Sequence, residues 1–451
     1  MSENKSHVTR SPAAKALMAL VFLLVFGAVG AYAAVAGQMV WSTQYTSIGR
    51  KDDIPQAVTI GPKGSIYVTG AGAGDYATVK YGPAGGLKWA KRYHGAGSDN
   101  DGAVAVALDQ RGNVYVTGTS VGAGSGPDFA TIKYGPRGAK KWISRFNSRF
   151  NGEDQAAAIA VGSTGVYVTG HSQGQKTRMD YVTIKYGFDG RVKWVKRYNS
   201  PGNGNDMASK IVIDEADNVY VTGSSAGDYA TLKYDSAGRL QWAARYNGPA
   251  NNVDGAVGLV VDGAGNVIVA GSSQTASAAG AIAVVKYDAA GTRKWVQRYD
   301  GPASMFDWPV DIGLDPSGNI YLAGTAIYDF TGTFPFDPSD SVTIKYDSAG
   351  VRQWLRINAD FDSATALAVD QNGNVVVAGQ AAAGSTGMTD YATVKYDTDG
   401  NPQWAKTFSG PGNNMDFTTD VAINGKGAVY VTGAVYRQRT GDDFATVKYA
   451  P

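Results

Sequence analysis

The sequence predicts an all-β protein: a β-propeller of eight four-stranded blades whose last blade is closed by the N-terminal strand. The first observation is a seven-residue phrase, DYATVKY at 75–81, which recurs in close variants along the 451-residue chain. The second is tryptophan, which recurs at intervals of 48 to 59 residues, at positions 41, 89, 142, 194, 242, 295, 354 and 404. The third is YVTG or a close variant, which occurs once in each of the same eight units.

One unit, taken in order, contains four strands. DGAVAVALD (101–109) and VYVTG (114–118) predict the first two, DFATIKY (128–134) the third and AKKWISRF (139–146) the fourth. Each run is short and rich in Val, Thr, Ile and aromatic residues, which favours strands. Turns with Asp or Pro early and Gly late join the first strand to the second and the third to the fourth as hairpins. The small residues of the first strand place it nearest the axis, where space is tightest.

The two ends of the chain predict how the ring closes. The C-terminus stops at DFATVKYAP (443–451), a third strand with no fourth strand after it. The repeat begins at MVWSTQY (39–45), a fourth strand with no blade before it. Pairing the two completes the eighth blade and removes the free edges of an open ring. A split into two domains is the weaker alternative because no linker interrupts the period, so residues 38–451 are expected to form one domain.

Residues 1–37 differ from the rest of the chain. Basic residues precede a run that is uncharged from 16 to 37 and contains the small-residue sites AYA and AVA. This pattern is typical of a secretory signal peptide, with cleavage after Ala33 or Ala36. An uncleaved membrane anchor is the alternative, since the run is long enough to span a bilayer. Either interpretation places the bulk of the chain outside the cytoplasm, as a secreted, periplasmic or cell-surface protein.

The composition excludes several classes of function. Charged residues make up 18% of the chain and give a formal net charge of +2, which provides no electrostatic case for nucleic-acid binding. The chain has no cysteine, which excludes disulfides, thiolate metal sites and cysteine nucleophiles.

Two longer phrases carry a family resemblance. DYATLKYDSAGRLQW (228–242) and DQRGNVYVTG (109–118) resemble the bacterial seven-bladed β-propeller repeat family, of SBBP type, and the resemblance covers essentially residues 38–449. The family name implies seven blades, whereas this chain has eight units. The resemblance implies a fold and brings no assigned activity. The hairpin that ends in Trp is also similar to quinoprotein propellers, which makes a quinone-dependent dehydrogenase a third functional alternative.

Two polar positions recur in every unit. The lysine of the phrase is expected to lie over an aromatic ring and to donate to a turn. An aspartate precedes each first strand, where the chain crosses from one blade to the next. The favoured interpretation is that each aspartate caps its corner by accepting backbone N–H bonds. The alternative is a ring of carboxylates at one mouth of the channel that attracts cations, with calcium as a candidate. These residues are Asp53, Asp101, Asp154, Asp206, Asp254, Asp307, Asp362 and Asp416.

Blade six departs from the repeat. Its loop between the second and third strands, TAIYDFTGTFPFDPSD (325–340), is longer than the others, and MFDWP (305–309) leads into its first strand. Exposed aromatics beside carboxylates suit sugar rings or a protein partner, and a loop folded over its own aromatic cluster is an equal alternative. The candidate ligand-binding residues are Phe306, Trp308, Tyr328, Phe330, Phe334 and Phe336.

Signals for catalysis are sparse. His94 and His171 occupy non-equivalent positions in different blades, which excludes a histidine metal cluster and gives little support to a Ser-His-Asp triad. No polar cluster unique to one part of the chain is visible. We therefore expect a non-catalytic scaffold, with no catalytic residues and no cofactor other than calcium, that acts as a monomer. It would bind a protein or glycan partner at the cell envelope. The alternative is a polysaccharide hydrolase or lyase with its site at the channel mouth, because sequence spacing does not reveal a carboxylate pair.

Overall fold

The computed structural model describes residues 35–48, 51–97, 101–274, 280–301, 306–327, 339–383, 388–412 and 414–451. Over these residues, no helix has the length and apolar character needed to cross a membrane.

The described residues form eight four-stranded antiparallel sheets, which confirms the predicted propeller. A short 3-10 turn at Pro62–Gly64 is the one helical element among them. The first sixteen strands are β1 (Met39–Tyr45), β2 (Asp53–Ile60), β3 (Ile66–Gly72), β4 (Asp75–Tyr81), β5 (Leu87–Tyr93), β6 (Gly102–Leu108), β7 (Val114–Val121), β8 (Pro127–Tyr134), β9 (Lys140–Phe146), β10 (Asp154–Val161), β11 (Val166–Gln173), β12 (Met179–Tyr186), β13 (Val192–Tyr198), β14 (Asp206–Ile213), β15 (Val219–Ser225) and β16 (Asp228–Tyr234). The remaining strands are β17 (Leu240–Tyr246), β18 (Asp254–Val261), β19 (Val267–Ser273), β20 (Ala281–Tyr287), β21 (Arg293–Tyr299), β22 (Asp307–Leu314), β23 (Ile320–Ile327), β24 (Ser339–Tyr346), β25 (Arg352–Asn358), β26 (Ser363–Val369), β27 (Val375–Ala382), β28 (Thr389–Tyr396), β29 (Pro402–Phe408), β30 (Phe417–Ile423), β31 (Val429–Arg437) and β32 (Gly441–Tyr449).

Blades one to seven are consecutive groups of four strands, from β2–β5 to β26–β29, and blade eight is β30–β32 with β1. The first strands contact one another in cyclic order, from β2 to β30 and back to β2, so they surround a central channel. The apolar core lies between successive blades: one cluster joins Tyr67 of blade one to Val116 and Ile132 of blade two. Because each sheet packs on both faces, apolar residues occupy both parities of its middle strands.

The register defines the two faces of the ring. The start of β10 pairs with the end of β11, where Asp154 lies opposite Ser172. The chain also crosses between blades at this end, so we call it the crossing face, and the opposite side the turn face. Each first strand has a β-bulge a few residues below the crossing face, as between Ala156 and Ala158. The bulge leaves an extra residue without a ladder partner and re-aims the side chains around it.

The repeated lysine and tryptophan hold neighbouring blades together. Lys80 Nζ and Trp89 Nε1 both donate to the carbonyl of Pro136 in the next blade, at 3.1 and 3.2 Å. The same ammonium lies 4.9 Å from the centre of the Tyr67 ring. Gly138 of that turn has φ +81°, and a Cβ atom there would come within 3.0 Å of the Trp89 ring. The phrase therefore builds the blade-to-blade interface, as expected for the lysine.

The predicted closure is also present. β1 pairs antiparallel with β32, with Met39 opposite Tyr449 and Tyr45 opposite Phe444. Aromatic packing accompanies the ladder, since the rings of Tyr45 and Phe444 are 5.8 Å apart. We call this pair the seam.

Next to the seam the two chain ends reproduce a hairpin turn. Ala450 N donates to Gln38 O at 2.9 Å and Gly37 N to Ala450 O at 3.3 Å. The intact turn of blade two makes the corresponding bonds within 135–139. Gly37 has φ +72° and packs against Trp404, as the glycines of other turns pack against theirs. Trp404 Nε1, however, has no hydrogen-bond partner among the described residues.

Candidate functional site

The recurring aspartates lie at the blade corners with their carboxylates directed at backbone donors. Asp154 accepts from Ser148 N at 2.6 Å, and Asp206 accepts from Ser200 N at 2.7 Å. Asp101 accepts from Gly95 N and, at 2.9 Å, from Val121 N. The buried members are Asp53, Asp101, Asp154, Asp206, Asp254, Asp307 and Asp416, and Asp362 is partly buried. This is the geometry of a corner cap, and the cation ring stays a prediction.

Burial makes several of these carboxylates costly to ionise. It raises the pKa of Asp307 to about 6, against the opposing effect of the Gly301 N–H. Burial is likewise the main cause that raises the pKa of Asp53, Asp154 and Asp416. A carboxylate taken out of water favours its neutral form unless hydrogen bonds to the charged form compensate.

The aromatic sector of blade six is described only in part. Phe306 is 42% exposed, and its carbonyl accepts from Ile327 N at 3.2 Å. Trp308 is partly buried in β22, near the crossing-face end of the channel. Tyr328, Phe330, Phe334 and Phe336 lie outside the described residues, so their predicted gathering with Trp308 stays a prediction.

A polar cluster inside the channel was missed by the sequence analysis. The residue after the bulge of each first strand is Ala or Gly in blades one, two, three, five and seven. In blades four, six and eight it is Lys210, Asp311 and Asp420. Lys210 Nζ lies 3.6 Å from Asp311 Oδ1, although Lys210 belongs to blade four and Asp311 to blade six, with blade five between them. These side chains therefore meet across the channel. An alignment of the eight first strands would reveal them, because a charged residue then stands at a position that is otherwise Ala or Gly.

The cluster is lined by protein but remains open to water. The Lys210 side chain is 43% exposed and that of Asp311 21%, which shows that the channel admits water at this depth. The Asp311 carboxylate is the main cause that raises the pKa of Lys210. Burial raises the pKa of Asp420 to about 7, although Val58 N donates to this carboxylate at 2.8 Å. Asp311 is thus paired with an ammonium, whereas Asp420 is satisfied by backbone N–H groups.

The same three blades place large apolar side chains at the crossing-face mouth. Three residues before each charged position stand Met207, Trp308 and Phe417, which we call the collar. Met207 is 42% exposed. The other blades carry Ile54, Gly102, Gln155, Gly255 and Ser363 at this position. The collar together with Lys210, Asp311 and Asp420 is the channel site.

Blades six to eight lack an arginine that the other blades place on the crossing face. In blade two, Arg145 donates to Asp128 and to the carbonyl of Ser120, both at 2.8 Å. Arginine holds this position in blades one to five, and Ile357, Thr407 and Gln44 replace it in blades six to eight. Where this arginine is absent, the negative charge of neighbouring carboxylates adds to the effect of burial on the pKa. After burial itself, Asp340 raises the pKa of Asp362, and Asp390 and Asp442 raise that of Asp416.

One group of described residues approaches the arrangement of a metal site. Oxygen and nitrogen ligand atoms of Asp75, His94 and Asp101 lie within 4.8 Å of one another. However, Asp75 bonds Arg92 at 2.7 Å, and backbone amides occupy Asp101. Within the described ranges no other such group occurs, so the carboxylates of blades six to eight do not converge on one ion.

Two surface clefts accompany these features. One, of about 590 Å³, opens on the turn face between blades two and four and contains Asp109 and Asp214. Hydrogen bonds from Asn113 and Asn218 hold these two carboxylates, which serve the turns. The other, of about 500 Å³, lies beside Arg149 on the crossing face of blade three.

The similarities of this chain to known proteins are distant. No curated protein matches this chain. A protein structure from Lactobacillus plantarum is 14% identical with a TM-score of 0.48, covering 78% of this chain and 94% of that one. A Bacteroides caccae protein described as of unknown function is 12% identical with a TM-score of 0.38, covering 67% and 94%. At these levels neither likeness bears on function.

One protein-family model matches part of the chain. Residues 193–230 match the model described as the SBBP beta-propeller repeat. They run from the fourth strand of blade three to the third strand of blade four, and the same unit recurs in every described sheet. Residues 193–230 therefore resemble an SBBP-type repeat, and the described residues form a β-propeller closed as a ring of eight blades.

Proposed function

We propose that this protein is an extracytoplasmic, non-catalytic scaffold that binds a protein or glycan partner on the crossing face, at the mouth of the channel. The observation that carries the proposal is the collar of Met207, Trp308 and Phe417. The fold does not require it, because blades two, five and seven place Gly or Ser at the same position. Aromatic and methionine side chains at a partly exposed mouth are typical of contact surfaces.

The repeated polar residues support this choice by exclusion. The lysines and tryptophans are used between blades, and the corner aspartates are used on backbone amides. Recognition is therefore expected from residues that break the repeat rather than from those that form it.

The test pairs binding with stability. A partner identified by glycan array and by affinity capture from envelope extract is titrated against Trp308→Ala. Loss of a central aromatic anchor costs about 2 kcal/mol or more, so affinity should fall about thirtyfold or more while the melting temperature changes little. Phe188→Ala is the matched control, because Phe188 is a partly exposed aromatic on the turn face. Unchanged affinity in Trp308→Ala with normal folding would place the contact surface elsewhere.

The location outside the cytoplasm rests on the N-terminal residues. Sequencing the N-terminus of the protein from its own cells should give Ala34 or Gly37 if the signal is removed. Both products keep the Gly37 nitrogen that donates to Ala450 O, as an amide in one and as the N-terminal ammonium in the other. An N-terminus at Met1 in a membrane fraction would favour the anchor, and a soluble cytoplasmic protein would contradict both interpretations. We further expect a monomer, which sedimentation can check.

A second candidate is catalysis by a carboxylate pair on a polysaccharide in the channel. The observation that favours it is the contrast between Asp311, which faces the Lys210 ammonium at 3.6 Å, and Asp420, whose pKa burial raises to about 7. A carboxyl group whose pKa is raised by burial, beside a second carboxyl group that faces an ammonium, is the arrangement of a general acid and a partner carboxylate. Polysaccharide breakdown that disappears in both Asp311→Asn and Asp420→Asn would establish it. Turnover that survives either change would reject it.

A further inference from the structure

We propose that the channel site receives a primary ammonium group on an alkyl chain, presented as the lysine side chain of a partner polypeptide. The inference rests on the proposed function and specifies the partner. The charged cluster lies three residues below the collar, which is about 7 Å along the strand because the bulge sets these three residues against two on the partner strand. An ammonium at the cluster would therefore leave its alkyl stem against the collar.

The charges select a cation. Lys210 compensates Asp311, and within the described part of the chain no lysine or arginine nitrogen lies within 4.0 Å of Asp420. When Asp420 is ionised the cluster carries a net charge of about −1, and an anion would meet two carboxylates for one ammonium. The fourth strands of blades six to eight also lack the arginine of the other blades, although Arg437 lies 3.4 Å from Asp443 in blade eight.

The shape selects an organic cation rather than a metal ion. Asp311 and Asp420 do not belong to a set of three ligand groups within 4.8 Å of one another. The aromatic rings of Trp308 and Phe417 at the mouth suit an alkylammonium, which is attracted to ring faces and has an apolar stem to bury. A sugar hydroxyl carries neither a positive charge nor an apolar stem, so it would gain neither of these two interactions.

The first experiment titrates hexylammonium into the full chain by calorimetry at about pH 8, where Asp420 is ionised. Binding should strengthen from methylammonium to hexylammonium, by up to about fourfold for each added methylene that reaches the collar. Hexanoate, of the same shape and opposite charge, should not bind. Hexanoate that binds as well as hexylammonium would overturn the charge argument, and equal affinity for every chain length would overturn the role of the collar.

Two substitutions should change hexylammonium affinity in opposite directions. Asp420→Asn keeps an acceptor for Val58 N and removes the charge, so affinity should fall on the order of tenfold. Lys210→Met keeps the apolar stem and removes the competing ammonium, so affinity should rise on the order of tenfold. Asp235→Asn, a carboxylate in a turn on the opposite face of the ring, should leave affinity unchanged. Thermal melts identify any variant that has lost its fold, and two folded variants that change affinity in the same direction would overturn the proposal.

Further arms distinguish the source of the ammonium. A peptide with one lysine between glycines should bind more tightly than the same peptide with acetyl-lysine and than free 1,5-diaminopentane. Tighter binding of the free diamine, or of an oligoglucosamine, would contradict the polypeptide partner. If the captured partner binds Asp420→Asn normally but fails to bind Trp308→Ala, the lysine inference is wrong and the proposed function stands.

Discussion

At the scale of single residues, burial accounts for the raised pKa of several corner aspartates. The corner aspartates hold the crossing segments by accepting from amides six positions earlier, as Asp154 does from Ser148. Asn at these positions would keep the acceptor without the charge. Where burial raises the pKa, as at Asp154, Asp307 and Asp416, the carboxylate is a structural group whose ionisation opposes folding.

We predict that Asp307→Asn gains stability over the parent as pH rises from about 4 to about 7. Asp307 ionises with a pKa of about 6 in the folded protein and at its ordinary value of 3.8 when unfolded. The folded state holds the proton more tightly, so this contribution is fully present below the unfolded pKa and is lost as pH rises through the folded pKa. Urea unfolding across this range should show the difference growing by up to about 3 kcal/mol and then levelling.

The control is Asp235→Asn in an exposed turn. The backbone N–H of Arg239 is the main cause that lowers the pKa of Asp235, so the sign is reversed. The parent should lose this contribution as pH falls below about 4, and the variant should not. Parallel pH profiles for the two substitutions would contradict the assignment.

At the scale of elements, most strands could be predicted from the sequence because the same four strand motifs recur in each repeat. The predicted 139–146 became β9 at Lys140–Phe146, and the predicted 101–109 became β6 at Gly102–Leu108. The channel site could not be found this way. Averaging the repeats hides a single lysine or aspartate at a position that is otherwise small, and sequence separation does not show that Lys210 and Asp311 meet across a channel.

The seam gives the prediction at this scale. Removing residues 38–46 deletes β1, exposes the edge of β32 and removes the packing of Tyr45 on Phe444. We expect loss of a cooperative transition or a large drop in melting temperature, because a whole ladder and its aromatic contacts disappear together. Deleting residues 1–34 serves as the control and should leave the transition intact. A truncated protein that melts like the parent would show that the seam contributes little.

At the scale of the whole molecule, residues 37 and 450 lie so close together that a short covalent link would close the chain into a ring. The Gly37, Gln38 and Ala450 bonds reproduce a hairpin turn that lacks its central link. Joining Pro451 to Ala36 and opening the chain at the equivalent turn of blade one, between Pro83 and Ala84, should therefore give a permuted protein of the same fold. We expect calorimetry to show a melting temperature close to that of the parent. An insoluble or molten product would mean that the present position of the chain ends is required for folding.

The placement of the seam also decides how the molecule responds to force. Both chain ends leave the ring at the same end of one antiparallel pair, where Met39 lies opposite Tyr449. Tension between the two ends loads the hydrogen bonds of this pair one after another, as in unzipping, rather than all at once, as in shear. The ring would open at β1 under a weak pull. A load that enters at the N-terminus and leaves through the channel mouth does not peel the ladder in this way, so the direction of pulling determines the mechanical strength.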